Sequence, residues 1–252
     1  MMKTALVLSA GGMFAAWEAG VWKALSGKFQ PDMIVGASAG AWNGWAIAGG
    51  CAPEELIREW LDPRTAELMR LRVPWIPWRG VFDSEPLESL ARELFSRFQP
   101  QAPFGMTLTV VDFGRLRPRL VRESEMTWRH LAAGCSVAFG HRPVRLDGQL
   151  CVDGGLLGAL PVWAALEMGA ARVVAVNALP RLPSRALRAA VRALTIFAER
   201  PRAMGTVDAN LIQPGAELGT LRDAIRWSPK NIERWIELGE RDGNRAVSSI
   251  TM

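Results

Sequence analysis

Gly36-Ala37-Ser38-Ala39-Gly40 reads G-x-S-x-G, with the apolar run Met33-Ile34-Val35 before it and a mostly apolar helical pattern, Ala41 to Ala48, after it. A serine on such a strand–turn–helix elbow is forced outward. The flanking glycines Gly36 and Gly40 tolerate strained backbone and close packing of strand on helix. The free N–H groups at the start of the helix favour a developing negative charge. These are the needs of a nucleophile in acyl transfer, although a small-residue turn in an Ala- and Gly-rich chain would read the same.

Such a serine requires a base and an oxyanion hole. The chain has two histidines, His130 and His141. An α/β-hydrolase triad runs Ser, acid, His, which would make Asp83 or Asp112 the acid and His141 the base. That fold also needs an earlier strand and loop to donate an oxyanion N–H group, and here only one strand and one helix precede Ser38. His130 sits beside Trp128 and Leu131 in a helical pattern, and His141, in Gly140-His141-Arg142-Pro143, reads as an exposed loop residue. Asp153 is the better partner. It lies in Cys151-Val152-Asp153-Gly154-Gly155, where Gly154 and Gly155 would let another backbone come close. An ordinary Asp-Gly turn, as at Asp147-Gly148, is the alternative. An aspartate at its usual pKa of about 3.9 is a weak base for a hydroxyl. Burial, or proton transfer in concert with attack, would remedy that. Ser9-Ala10-Gly11-Gly12 can aim backbone N–H groups at an anion. It lacks both G-x-G-x-x-G and G-K-[ST], so an oxyanion hole suits it better than a nucleotide site.

The elements that must position these residues are legible from periodicity. Lys3 to Leu8 reads as a buried strand, Ala15 to Leu25 as a helix and Met33 to Val35 as a second, parallel strand. Helices are expected from Pro53 to Trp60, Glu85 to Phe98, Thr127 to Ala133 and Pro161 to Met168. Thr107 to Asp112 reads as a strand that Arg119 to Val121 continues as a hairpin. Val144 to Val152 reads as a hairpin around Asp147-Gly148, and Arg172 to Val176 as a buried strand. Arg70 to Asp83 is irregular. The remainder reads as mostly helical, with a basic face on Arg185 to Glu199 and an amphipathic stretch from Asn231 to Gly239.

With 252 residues, of which 49% are hydrophobic, the chain can bury a substantial core. One domain over residues 1–252 is expected. The net charge of +5 comes from arginines spread along the sequence, which argues against a nucleic-acid partner and leaves room for peripheral contact with an anionic membrane. Met1-Met2-Lys3 and Ala5 to Leu8 look like the start of a signal peptide. The apolar stretch is broken at Ser9 to Gly12 and Glu18 follows, so a first strand is the expectation. Cys51, Cys135 and Cys151 lack metal-ligand spacing. They point to free thiols in a reducing, cytoplasmic compartment. No apolar run is long enough to span a bilayer. Trp75 and Trp78, flanked by Pro74 and Pro77, suit either ordinary packing or a lipid interface.

Taken together, Leu6 to Leu25, Gly36 to Gly40 and Val144 to Val176 resemble a patatin-like phospholipase. The resemblance implies a three-layer α/β/α sandwich around a mostly parallel central sheet. It implies a Ser–Asp dyad without histidine, with Ser38 as nucleophile, Asp153 as base and the N–H groups of Gly11 and Gly12 as the oxyanion hole, joined by that of Ala39. It implies no metal or organic cofactor, and lipid acyl esters as the substrate class. Acyl transfer or thioester hydrolysis on the same dyad, and a catalytically weak lipid-binding or regulatory protein, are the rival readings. The family's first loop has three glycines, any residue, Arg or Lys, then glycine. Here it reads Ala10-Gly11-Gly12-Met13-Phe14-Ala15. Phe14 in place of the cation is expected to widen an apolar acyl site.

Overall fold

A computed structural model describes residues 2–72, 80–112, 115–181, 184–196, 198–199 and 207–250; Trp75 and Trp78 lie outside them. The chain begins β1 (Thr4–Leu8), a 3-10 turn (Gly12–Ala15), α1 (Ala16–Leu25), β2 (Met33–Ala37), α2 (Ala39–Ala48), α3 (Pro53–Leu61) and α4 (Glu85–Arg97). It continues with β3 (Phe104–Asp112), β4 (Arg115–Arg122), α5 (Trp128–Gly134), β5 (Val144–Leu146), β6 (Gln149–Asp153), α6 (Val162–Glu167) and β7 (Arg172–Val176). It closes with α7 (Arg185–Leu194), β8 (Asp208–Ile212), α8 (Leu221–Ile225) and α9 (Pro229–Ile250).

Eight strands form one mixed sheet in the order β5-β6-β3-β2-β1-β7-β8, with β4 also on β3. The pairs β1–β2, β1–β7, β2–β3 and β7–β8 are parallel. Alternate residues of β1 serve two cores, because successive side chains point to opposite faces. Leu6 and Leu8 join α1, α2, α3, α5 and α9 on one face. Ala5 and Val7 join Ala164 and Ala165 of α6 on the other. Helices therefore flank both faces, with a thick layer on one and a thin layer on the other.

β3 acts as a ruler for the site. Its first half pairs with β2, so that Ala37 lies opposite Thr107. Its second half pairs with β6, so that Asp153 lies opposite Leu108. β4 runs along the other edge for the whole length. β2 and β6 thus approach along the same edge of β3 from opposite directions and end at neighbouring register positions.

Two elements depart from expectation. β8 is a strand in a region read as helical. It sits at the sheet edge and buries only Ile212 among its five residues, so its sequence carries no apolar alternation. α9 runs well past Gly239, where the amphipathic stretch read from the sequence ends. A side chain at Gly239 would strike the carbonyl of Trp17, so this glycine lets α9 lie against α1 and punctuates nothing. The expected hairpin at Asp147-Gly148 is present, with positive φ at both residues (49° and 80°) as a two-residue turn of that kind requires.

Candidate active site

The backbone at Ser38, between β2 and α2, is at φ 54° and ψ −133°, a region that L-residues rarely occupy and that persists only where the surroundings impose it. The surroundings are the two glycines. A side chain at Gly36 would meet the backbone of Ala41, and one at Gly40 the carbonyl of Ser9. Strand, helix and the neighbouring loop are thus pressed together around a serine that cannot relax. Its hydroxyl donates to Asp153 Oδ2 at 2.6 Å.

Asp153 is held on every side. Its N–H donates to the carbonyl of Ser136 at 3.0 Å, its carbonyl accepts from Thr109 Oγ1 at 3.0 Å, and Oδ1 accepts from the Gly155 N–H at 2.7 Å. Gly154 lies so close to Thr107 that any side chain would meet its carbonyl. Burial pushes the Asp153 carboxyl up to about 6, against the opposing hydrogen bonds of Ser38 and Gly155. A carboxylate of that strength is a better proton acceptor than a free aspartate and is still ionised at neutral pH.

The loop from Ser9 to Gly12 borders the same space. Gly12 has φ +56°, and neither Ala10 nor Ala15 has positive φ. The two alanines therefore stand where the backbone tolerates them, while the position that needs glycine has kept it. Beneath the loop is a buried polar cluster that sequence reasoning missed. Glu18 Oε1 accepts from the Ser9 N–H and hydroxyl at 2.9 and 3.2 Å, and Oε2 accepts from Asn43 Nδ2 at 3.0 Å. Asn43 Oδ1 accepts from Trp60 Nε1 at 2.9 Å, and Ser9 Oγ accepts from the Ala178 N–H at 2.9 Å. Burial raises the Glu18 carboxyl to about 8. The available signal was a lone acid facing a Gly-rich loop from a helix with no acidic neighbour.

Ser38, Asp153, Gly11, Gly12 and Ala39 all line one cavity of about 400 Å³, with Trp42 and Trp60 among its apolar walls, a size suited to an organic ligand. Cys135 lines it too. Its thiol is held well above its ordinary value, first by burial and then by the Asp153 charge. Among the described residues, no group of His, Cys, Asp or Glu is arranged to hold a metal ion.

The histidine triad does not assemble. His141, read as exposed, is 1% exposed. The loop carrying it folds inward because the Phe82 N–H donates to the Gly140 carbonyl at 2.8 Å. His141 Nε2 contacts the Leu68 carbonyl at 2.9 Å and so carries the proton, while Nδ1 is buried. His130 closes a capping box with Thr127. Asp83 is paired with Arg70 at 2.6 Å, and Asp112 lies 3.6 Å from Arg117. Phe14 also corrects its expectation. It is buried edge-on against Trp235, ring centroids 5.0 Å apart, and is not among the cavity's lining residues. The 3-10 turn rotates it into the core, away from the cavity.

The profile of the patatin-like phospholipases matches residues 6–166, a span that contains Ser38, Asp153 and the Gly-rich loop. Patatin-like phospholipase domain-containing protein 7 of Rattus norvegicus is 27% identical over 183 residues, which cover 69% of this chain and 13% of that protein. Lysophospholipase NTE1 of Mycosarcoma maydis is 28% identical over 193 residues, or 70% of this chain and 10% of that one. The match thus spans about a tenth to an eighth of the length of these curated relatives. In fold it is similar to VipD from Legionella pneumophila, with a TM-score of 0.53 at 12% identity, covering 98% of this chain and 67% of VipD. With the profile matching well over half of its length, this chain belongs to the patatin-like phospholipase family.

Proposed function

We propose that the chain is a serine hydrolase of lipid acyl esters that works through Ser38 and Asp153. The observation that carries this reading is the 2.6 Å hydrogen bond from Ser38 Oγ to Asp153 Oδ2 at a strained elbow. As Ser38 Oγ forms its bond to the acyl carbon, Asp153 takes the hydroxyl proton. The carbonyl electrons move onto oxygen, and that oxyanion is held by the N–H groups of Gly11, Gly12 and Ala39. Collapse breaks the ester C–O bond, and the departing alcohol takes the proton from Asp153. Water then attacks the acyl-serine, gives its proton to Asp153, and the serine recovers it as the fatty acid leaves. The apolar cavity and the family's character support a lipid acyl chain as the group transferred. An acceptor other than water would make the same dyad an acyltransferase, and a thioester would fit the same steps.

The test is turnover of a soluble short-chain aryl ester by the parent protein, Ser38→Ala and Asp153→Asn. Each substitution is expected to lower kcat by about 10³-fold or more, as for other nucleophile–base pairs. Turnover that survives Ser38→Ala overturns the dyad. Absence of turnover in the parent, with fatty-acid binding retained, favours the lipid-binding reading.

A further inference from the structure

The mouth of the cavity is unusual in what it exposes. Val137, Phe139, Leu194, Leu221 and Ile225 all line the cavity and yet are exposed, Phe139 by 71% and Leu194 by 42%. They are half of the large apolar side chains exposed among the described residues. Scattered single apolar residues need no explanation, but a contiguous set around one opening does.

Arginines frame this rim. On α7, Val191 and Leu194 face the cavity, whereas Arg188 and Arg192 are exposed and lie one turn apart along the flank of that face. Arg222 on α8 and Arg226 immediately after it flank Leu221 and Ile225 and are exposed. Among the described residues, none of these four arginines is in an ion pair. The acid in their midst, Asp223, is turned onto the Thr220 N–H and hydroxyl at 2.8 and 2.7 Å.

We infer that this rim is a docking surface for an anionic phospholipid bilayer. The arginines meet headgroup phosphates and the exposed apolar side chains enter the headgroup–acyl boundary, with the cavity opening onto the lipid. α7 then has the division of an interfacial helix, with charge toward phosphate and apolar side chains toward an acyl chain. A protein partner would have to supply both acidic groups and an apolar wedge, whereas an anionic bilayer presents both together. No helix among the described residues is long and apolar enough to cross a membrane, so the surface rests on the bilayer. The inference rests on the acyl hydrolase reading for its orientation of mouth to lipid, and its test is independent of turnover.

The test is co-sedimentation of Ser38→Ala protein with vesicles of phosphatidylcholine alone and of phosphatidylcholine mixed with phosphatidylglycerol. Binding is expected to the mixed vesicles, to weaken with salt, and to fall roughly 30-fold in Arg188→Gln/Arg192→Gln, from about 1 kcal/mol per arginine near an anionic surface. In a background with Ser38 intact, that double variant should hydrolyse the soluble aryl ester at the parent rate. Equal binding to both vesicles, unchanged binding by the double variant, or no vesicle binding overturns the docking surface. Vesicle binding without ester turnover would instead leave the surface standing and remove the hydrolase reading.

Discussion

Asp153 is asked to do two opposed things, to stay ionised and to stay buried. Its folded value of about 6 lies above the roughly 3.9 of an unfolded aspartate, so the native state binds the proton more tightly. That contribution to stability is present below the unfolded value and is lost as pH rises through about 6. At neutral pH the ionised carboxylate weakens the fold by something on the order of 1–3 kcal/mol. Asp153→Asn should therefore abolish turnover and yet raise the thermal midpoint at neutral pH, since the amide can still accept from Gly155 and donate to Ser38. A lower midpoint would contradict the burial argument. In the parent, kcat/KM should rise with pH through about 6 as the base ionises. Glu18 carries the same sign at higher pH. Raised to about 8, it stabilises while neutral, and unfolding free energy should drop as pH rises through about 8. Glu18→Gln should flatten that limb in denaturant titrations. Ser38 and Asp153 could be singled out as a candidate pair because each sits in a short motif, and the structure places them within a hydrogen bond of each other. Glu18 was not, since its role depends on Ser9 and Asn43 being brought beside it by tertiary structure.

The elements juxtapose the pair through β3. Ser38 follows the end of β2 and Asp153 ends β6, and the two strands meet head to head on one edge of β3. β1, β2 and β7 were readable as apolar runs because both of their faces are buried. β8 was not, because an edge strand needs little apolar surface. At the elbow, Gly40→Ala would drive a methyl into the carbonyl of Ser9 and push α2 from the loop that borders the site. Overpacking of this kind typically lowers stability by about 1–3 kcal/mol. Turnover should fall by more than the loss of folded protein explains, which circular dichroism and kcat measured at the same temperature would show.

On the scale of the molecule, the site is completed by chain beyond the family-matched residues 6–166. α9 packs along α1, where Gly20 and Gly239 allow close approach and Trp17 Nε1 donates to Asp242 at 3.0 Å. Trp235 backs Phe14 directly under the Gly-rich loop. The sequence showed Phe14 as a departure from the family's loop, but only the path of α9 shows that it faces a helix. Phe14→Arg should then act as a core substitution that buries an unpaired charge, lowering stability by about 3 kcal/mol or more. Selectivity between neutral ester and phospholipid should not change, and a selectivity change in a fully stable protein would return Phe14 to the substrate site. The central claim is that Ser38 is the nucleophile. Peptide mapping after reaction with a fluorophosphonate tests it most directly: a single adduct on Ser38, lost in Asp153→Asn or slowed by about 10²-fold or more, is the predicted result. An adduct elsewhere, or ester turnover with Ser38 unmodified, would contradict it.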